Sequence, residues 1–397
     1  MFMNHRLKDP NSSTESIVEL AQALIKVPSQ GGIDSCGPIL GLINEWLTNH
    51  GIPNRCLADS TGAPVAVVAE LSGKNQGAAL CLNACVDTAP FGDLTSWRVT
   101  PTSAEILDGW LYGRGSADSK IAVSIFCHIA LYFRDRLNEL ACPITFLFDG
   151  DEHTGNFGGI KAYIRDNRPR PLGVAIGYPG NDYIRAGARG FYRTELITHG
   201  VAAHSGGSSK TVSNAIEKAA ALVGRLRTVD LPSEPDPDFS FGPRITVTAI
   251  SGGHGYSMVP DRCSLNVDFR LTPSFDKLAA SEVIRRIVNG LDAAEPSAPT
   301  TIIEHESWPA YKLPDSSLIV RTLRRAASKY FGRQVSTRIS GPSNIGNYLF
   351  SLGVEATCGF GVSYRNIHAP NESVDINTIP PVYATYCQAI GDLSIST

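Results

Sequence analysis

The chain has 397 residues, of which 43% are hydrophobic and 18% are charged, and its formal net charge is −3. This composition excludes a disordered chain, and the small charge gives no basic surface for nucleic acid or an anionic membrane. No apolar run is long enough to span a bilayer, and residues 1–13 lack the apolar core of a secretory signal. The length of the chain favours two domains. We therefore expect a globular cytoplasmic protein with neither a nucleic acid nor a membrane as its partner.

Strands and helices alternate through the first part of the chain. Ser12 and Glu15 form a capping-box pattern for a helix that continues to about Ile25, and a second helix, over 37–50, is ended by Gly51. A further helix is predicted over 121–136, and strands are predicted over 78–84, 143–148, 172–177 and 355–361. Strands that are apolar throughout indicate an α/β domain with a mostly parallel central sheet flanked by helices.

The middle of the chain has a different pattern. Strands are predicted over 193–199, 244–250 and 262–271, helices over 213–227 and 277–290, and a Pro- and Asp-rich loop over 230–243. These elements predict an α+β sandwich inserted over 187–308. Residues 1–186 and 309–397 would then form one discontinuous domain.

The nine cysteines are scattered and form no Cys-x-x-Cys pair. In a long chain without an export signal, this pattern is typical of reduced thiols in a cytosolic protein. Four of them lie in apolar runs and are expected in the core: Cys81, Cys127, Cys142 and Cys358. Cys85 differs, because it lies where a predicted strand ends.

Side chains suited to metal binding or proton transfer lie around the predicted strand ends. These residues are Cys85, Asp87, Asp118, Glu152, His153 and His368. Open α/β sheets place ligands at the carboxyl ends of their strands, so the six side chains could converge there. Four of them also have a plain structural explanation. Asp118 would serve as a helix N-cap, Glu152 and His153 would fit a solvated turn, and His368 would fit a surface loop.

Ordered motifs over nearly the whole chain resemble the M20 family of metallopeptidases and deacylases. They include Leu82-Asn-Ala-Cys-Val-Asp-Thr-Ala-Pro90, Leu111-Tyr-Gly-Arg-Gly-Ser-Ala-Asp-Ser-Lys120, Gly150-Asp-Glu-His-Thr-Gly155, Gly200-Val-Ala-Ala-His-Ser205 and His368-Ala-Pro-Asn-Glu372. The resemblance implies a catalytic α/β domain with an inserted dimerisation (lid) domain. It also implies a zinc-dependent homodimer that hydrolyses the amide bond of an N-acyl amino acid or a short peptide with a free carboxylate.

The resemblance assigns roles to single residues. Cys85 and Asp87 stand at a His-x-Asp segment that supplies a metal ligand and the Asp that orients it. Asp118 matches the carboxylate that bridges two zinc ions. Glu152 matches the general base that activates water, and His368 matches the last His ligand.

Three further residues are assigned in the inserted domain. His204 matches a lid histidine that reaches the active site of a neighbouring subunit and stabilises the oxyanion. Arg189 and Arg270 stand where some members of the family hold the substrate carboxylate. The two arginines could equally form salt bridges at the surface or at a domain interface.

The substitutions are unevenly distributed between the two metal positions. One position becomes Cys85, Asp118 and Tyr178, and a neutral tyrosine is a poor ligand. The other becomes Asp118, His153 and His368, which is a familiar catalytic zinc set and would also fit iron. We therefore expect one firmly bound metal, zinc or another divalent transition metal, with Cys85 as an additional candidate ligand.

Three hypotheses follow for the function. The first is an amidohydrolase with one metal and Glu152 as the general base. The second is a protein whose metal chemistry is lost or redirected, either to Cys85-dependent acyl transfer or amide formation or to the binding of an acyl amino acid without catalysis. The third is a carboxylate-binding module or scaffold dimer, in which Glu152 would have no task.

Overall fold

The structure is a computed structural model that describes residues 10–75, 77–166, 170–207, 213–232, 236–294 and 298–396. Its helices are α1 (Pro10–Ile25), α2 (Gly37–Asn49), α3 (Ile121–Arg134), α4 (Gly158–Arg165), α5 (Ala215–Arg227), α6 (Lys277–Asp292), α7 (Leu318–Phe331), α8 (Ile345–Ser351) and α9 (Ile379–Ser396). Its strands are β1 (Asn54–Ala58), β2 (Pro64–Leu71), β3 (Leu80–Cys85), β4 (Ile106–Leu107), β5 (Trp110–Tyr112), β6 (Ile144–Asp149), β7 (Gly173–Ile176), β8 (Tyr183–Ala188), β9 (Gly190–His199), β10 (Ala203–His204), β11 (Arg244–Gly252), β12 (Met258–Val259), β13 (Arg262–Leu271), β14 (Thr301–Trp308), β15 (Tyr311–Lys312), β16 (Ser336–Ser340), β17 (Tyr364–Arg365) and β18 (Ser373–Asp375). Most of segment 1–13 lies outside the described residues. Within them, no helix combines the length and the apolar character that crossing a bilayer requires.

The chain divides into two compact units. The first comprises Met1–Gly187, Leu313–Ser340 and Asn344–Thr397, and the second comprises Ala188–Lys312 and Gly341–Ser343. The sequence predicted an inserted domain over 187–308. The role of that domain in dimerisation stays a prediction.

The first unit is built on a five-stranded sheet in the order β1-β2-β6-β3-β7. Strands β6, β3 and β7 are parallel, whereas β1 and β2 pair antiparallel at one side. Every residue of β3 and β6 is buried, which explains why their sequences are mostly apolar and do not alternate. Helices α2, α3 and α4 pack against the sheet. The predicted α/β fold is confirmed, and the parallel strands bring their carboxyl ends to one edge.

The predicted start of α3 at Ile121 is confirmed, but the helix-start positions expected for Ser12 and Asp118 are not. Within the described residues helix α1 runs from Pro10 to Ile25, so Ser12 lies inside the helix and not at its start. Helix α3 begins at Ile121, and the residues before it form a π-helical turn, Ser116–Lys120, in which Asp118 has φ −120° and ψ 89°. Asp118 is therefore not the N-cap of α3.

The predicted strand over 355–361 is not a regular strand in the structure. Its residues form only isolated bridges, among them Val174 with Ala356 and Gly177 with Phe360. Gly359 has φ +149°, a backbone conformation that interrupts regular pairing. The segment lies beside β7 without becoming an element of the sheet.

The second unit contains a four-stranded antiparallel sheet in the order β11-β13-β9-β14. Helices α5 and α6 pack on this sheet, and a cluster of buried apolar side chains separates the layers. The predicted strands and helices of this region are present, with β13 at the predicted bounds. Strands β11 and β14 form the two edges of the sheet.

Candidate metal centre

One carboxylate joins the loops that follow two neighbouring parallel strands. Asp87 lies in the loop after β3, and Glu152 and His153 lie in the loop after β6. The fully buried Asp87 accepts hydrogen bonds from the backbone N–H of Glu152 (3.1 Å) and of His153 (2.7 Å). Because each carboxylate oxygen accepts one of these bonds, Asp87 fixes the second loop against the first.

Asp118 lies between two imidazole rings. Its Oδ2 atom is 2.9 Å from His368 Nε2 and 3.5 Å from His153 Nε2. The side chain of His368 is 52% exposed and that of His153 only 8%, so the cluster opens to solvent on the His368 side. Ligand atoms of the three residues all lie within 4.8 Å of one another. The structure thus brings together the residues that the sequence assigned to one metal, while metal binding itself stays a prediction.

The ring of His153 tests whether a metal fits this cluster. Both ring nitrogens are buried, and neither has a hydrogen-bond partner among the described residues. Nδ1 lies 3.6 Å from Asp87 Oδ2, and Nε2 faces Asp118. Buried imidazoles normally have their nitrogens satisfied, so this ring fits a metal at Nε2, with Asp87 orienting the ring from the Nδ1 side. A second group of candidate ligands, Cys85, Asp87 and His153, uses the same ring.

The charges of the cluster are strongly coupled. Burial would raise the pKa of Asp118, but His153 and His368 hold it well below its usual range. Burial would lower the pKa of His153, but the Asp118 and Asp87 carboxylates raise it well above its usual value. Burial raises the pKa of Glu152 to about 8, with the Asp118 charge contributing in the same direction. A carboxylate with a pKa near neutrality is suited to general-base work.

Cys85 is buried at the end of β3 and is not poised as a nucleophile. Its Sγ atom lies 3.6 Å from Asp118 Oδ1 and 3.5 Å from Ser119 Oγ. Burial and the Asp118 charge raise the pKa of the Cys85 thiol well above its usual value. The reactive form of cysteine is the thiolate, and this environment disfavours it. The four other cysteines assigned to the core are buried as expected: Cys81, Cys127, Cys142 and Cys358.

Tyr178 lies beside the cluster, in the loop after β7. With Cys85, Asp118, Glu152 and other residues it lines a cavity that has room for about one water molecule. Burial and the Asp118 charge raise the pKa of Tyr178 well above its usual value, so the phenol is neutral. A neutral phenol donates a hydrogen bond more readily than it binds a metal.

A buried ion pair that the sequence did not reveal holds two of the candidate ligands. Arg114 Nη1 is 2.6 Å from Glu372 Oε2, and both side chains are almost fully buried. Glu372 Oε1 accepts hydrogen bonds from the backbone N–H of Ala117 (2.9 Å) and of Asp118 (3.2 Å), while Arg114 Nη2 donates to the carbonyl oxygen of His368 (3.3 Å). Both charged residues stand inside recognised motifs, but nothing in the sequence pairs them.

His204 belongs to the second unit and is exposed on β10. Its Nδ1 atom accepts a hydrogen bond from the backbone N–H of Gly206 at 3.0 Å, so the proton of the neutral ring is on Nε2. Nε2 can therefore act as a donor. The role assigned to it in a neighbouring subunit stays a prediction.

Arg189 and Arg270 also belong to the second unit. Arg189 donates to the carbonyl oxygens of Gly341 (2.9 Å) and Gly242 (2.7 Å), and Arg270 Nε is 2.8 Å from Asp268 Oδ1. Burial and the charge of Arg270 lower the pKa of Arg189, because the two guanidinium groups are close neighbours. These bonds fit a structural role, while the paired positive charge fits a carboxylate ligand, and both explanations stay open.

The site has one carboxylate between two imidazoles and a second carboxylate beside it, at the carboxyl edge of an α/β sheet. This arrangement is typical of one class of proteins, the metal-dependent amide hydrolases. The chain belongs to one family of this class, Peptidase family M20/M25/M40, whose model matches residues 81–392.

Individual relatives and solved structures agree with this membership. The chain is 24% identical over 387 residues to a succinyl-diaminopimelate desuccinylase of Ehrlichia ruminantium, a match that covers 94% of this chain and 96% of the relative. Its fold is similar to that of an M20 family metallo-carboxypeptidase from Sulfolobus solfataricus, with a TM-score of 0.78, 19% identity, and 96% and 99% of the two chains covered. It is also similar to that of a dinuclear metal-binding M20 peptidase from Bacillus subtilis, with a TM-score of 0.69, 14% identity, and 98% and 100% covered.

Proposed function

We propose that the protein is a metal-dependent amidohydrolase that acts on an N-acyl amino acid or a short peptide with a free carboxylate. The observation that carries this proposal is the contact of Asp118 with both His153 and His368, next to the buried Glu152. The desuccinylase and carboxypeptidase activities of the similar proteins are consistent with such a substrate.

The proposed cofactor is one ion, held by Asp118, His153 and His368. Zinc suits this set of donors, and when bound it would lower the pKa of a water molecule to roughly 7. The similar Bacillus subtilis peptidase binds two metals. Here the remaining position offers a neutral tyrosine, Tyr178, and a buried thiol, Cys85, and both candidate ligand groups depend on the single ring of His153. These features favour one ion over two.

The side chains of the chain divide the work of hydrolysis in this proposal. Glu152 takes a proton from the attacking water and returns it to the leaving amine. Asp87 orients His153, and Nε2 of His204 from a neighbouring subunit donates to the developing oxyanion. Arg189 and Arg270 bind the substrate carboxylate in the way that paired guanidinium groups do.

The proposed active form is a homodimer assembled through the second unit and located in the cytoplasm. The nine free thiols fit that reducing compartment. No nucleic acid or membrane partner is proposed.

A pair of substitutions separates hydrolysis from the alternative thiol chemistry. We expect His153→Ala and treatment with EDTA each to abolish turnover of N-acetyl and N-succinyl amino acids. Cys85→Ala should retain a substantial part of the activity, because the Cys85 thiol is buried and neutral. Turnover would be followed by release of the free amine, and bound zinc by elemental analysis of the reconstituted protein.

The opposite pattern would support the alternative. Turnover that resists EDTA and disappears in Cys85→Ala would assign catalysis to the thiol. Less than about half an equivalent of metal in folded, reconstituted protein would count against the metal centre.

A further inference from the structure

We propose that Tyr178 is a catalytic residue whose phenolic O–H donates a hydrogen bond to the substrate carbonyl oxygen as negative charge develops on it. The inference rests on the proposed hydrolase function and concerns the same site. It gives a chemical task to a residue that would be a poor metal ligand.

The position of Tyr178 is the first support. It lines one small cavity together with Asp118 and Glu152, the candidate ligand and the candidate base. The cavity has room for about one water molecule, which is the size of a single reacting oxygen. A group attacked by water that Glu152 activates would therefore lie next to the phenol.

Close backbone contacts hold Tyr178 in place and fix the position of its Cβ atom, from which the ring extends. The Tyr178 N–H donates to Phe360 O at 3.3 Å. A Cβ atom added at Gly359 would lie 2.4 Å from Tyr178 Cβ, and one added at Gly361 would lie 2.7 Å from Tyr178 O. Glycine is thus needed at both positions for the close approach of this segment. Fixed donors cost little reorganisation when charge develops.

The phenol is free to donate. Among the described residues its O–H makes no hydrogen bond, so no partner has to be displaced. The Arg185 guanidinium lies over the ring, with Cζ 5.3 Å from the centroid, and Arg185 is only 6% exposed. Arg185 Nη1 is buried without a hydrogen-bond partner among the described residues, which leaves its charge to act on its aromatic neighbours. This cation opposes the rise in the pKa of the phenol that burial and the Asp118 charge cause.

The chemistry requires a donor and not an acceptor at this position. In the addition step, the C–O bond to water forms, the carbonyl π electrons move to oxygen, and the water proton moves to Glu152. Tyr178 keeps its proton throughout and stabilises the new negative charge by the hydrogen bond alone. An ionised carboxylate at this position could only accept a hydrogen bond and would repel the oxyanion.

The variant Tyr178→Phe tests the proposal, because it retains the ring beneath Arg185 and removes only the O–H. We expect kcat to fall about 100- to 1000-fold, as when one oxyanion donor is removed elsewhere, with KM and zinc content close to those of the wild type. Tyr183→Phe is the matched control. Its ring contacts the same guanidinium at 5.2 Å but does not line the cavity, so it should retain the wild-type kcat.

A binding measurement provides a readout that does not depend on turnover. Methylphosphonate, a tetrahedral anion, would be titrated calorimetrically into the zinc-reconstituted wild type and both variants. Tyr178→Phe should weaken its affinity about 10- to 100-fold, as loss of a hydrogen bond to a charged group does, and Tyr183→Phe should not.

Two outcomes distinguish this inference from the proposed function. If Tyr178→Phe matches the wild type in both kcat and anion affinity, or changes KM alone, the phenol is not the donor and the inference is overturned. If the wild type hydrolyses no amide substrate, the proposed function fails. In that case the catalytic role of Tyr178 fails with it, and a loss of anion affinity in Tyr178→Phe would show only that the phenol donates to a bound anion.

Discussion

The positions of two candidate ligands, Asp118 and His368, depend on the buried ion pair between Arg114 and Glu372. Asp118 and His368 touch each other through their side chains, and the Arg114–Glu372 pair holds their backbones at the same time. A buried ion pair is expensive to form but even more expensive to break, because the remaining partner is left as an uncompensated buried charge.

The variant Glu372→Gln tests this dependence. Gln retains an oxygen for the N–H groups of Ala117 and Asp118 but leaves Arg114 without a counter-charge. We expect a loss of about 3–5 kcal/mol in the free energy of unfolding, measured with urea, and weaker zinc binding by chelator competition.

A less buried ion pair of the same length provides the control. Arg325 and Asp392 are also 2.6 Å apart, but the Arg325 side chain is 70% exposed. Asp392→Asn should therefore cost less than about 1 kcal/mol. Equal losses in the two variants would show that burial of the Arg114–Glu372 pair does not matter.

At the scale of elements, helix α3 connects the candidate site to the outer layer of the first unit. Its buried His128 has no ion-pair partner within the described part of the chain: Nδ1 lies 2.8 Å from Ser124 O, and the ring lies 5.1 Å from that of Trp46 on α2. Burial lowers the pKa of His128 to about 4, with a smaller contribution from Ser124 in the opposite direction. The folded protein therefore binds this proton less readily than the unfolded chain does.

Stability should consequently fall as the pH falls through the range between the two pKa values of His128. Its contribution is present above about 6.5, the unfolded value, and is lost progressively towards pH 4, by at most about 3 kcal/mol. In His128→Gln this component should disappear, so the free energy of unfolding should decrease less between pH 7 and pH 4.5 than in the wild type. Identical pH dependence of urea unfolding in both proteins would contradict the expectation.

Helices and strands are predicted well from the sequence where the local pattern of apolar residues determines them. They are predicted poorly where contacts with distant segments determine the backbone conformation. The apolar runs of β3 and β6 suffice to identify buried strands, whereas the turn before α3 does not follow from local pattern. Gly113 and Gly115 have φ values of +147° and +81°, and added Cβ atoms there would lie 2.4 Å from Ile25 and 2.5 Å from Thr88. Because of these contacts with distant segments, Asp118 lies in a turn before α3 and not at the N-cap position that its place in the sequence suggests.

At the scale of the whole molecule, we expect a second copy to pair at an edge of the second sheet. Every residue of β11 is at least partly exposed, and Ile250 on this strand is 54% exposed. An exposed edge strand offers unpaired backbone groups to another strand. We expect a solution mass by light scattering of twice the 42.5 kDa of one chain.

Charge substitutions on the two edges identify the interface. Ile250→Lys on β11 should reduce the mass to that of one chain, whereas Ile303→Lys on the opposite edge, β14, should leave the dimer intact. A wild type with the mass of a single chain would rule out the dimer, and dissociation by Ile303→Lys alone would move the interface to β14.

The candidate site itself could be predicted only in part, for a related reason. The side chains of Asp118, His153 and His368 are recognisable by type and by motif, and the structure brings them together. Arg114 and Glu372, which form the buried ion pair, are 258 positions apart in the sequence. The cavity that Tyr178 lines forms only when the chain is folded. No local pattern encodes such contacts.

The same long separation has a consequence for biosynthesis. His368 is translated 250 positions after Asp118, and the ion pair that holds both needs Glu372 as well. At about 5–20 residues per second, a ribosome needs on the order of 10 to 50 s to cover that distance. During this time the nascent chain carries Asp118 and then His153 without the third ligand. Tight capture of a metal ion should therefore wait until synthesis has passed the inserted unit, and ions that bind incomplete sets of ligands can still leave.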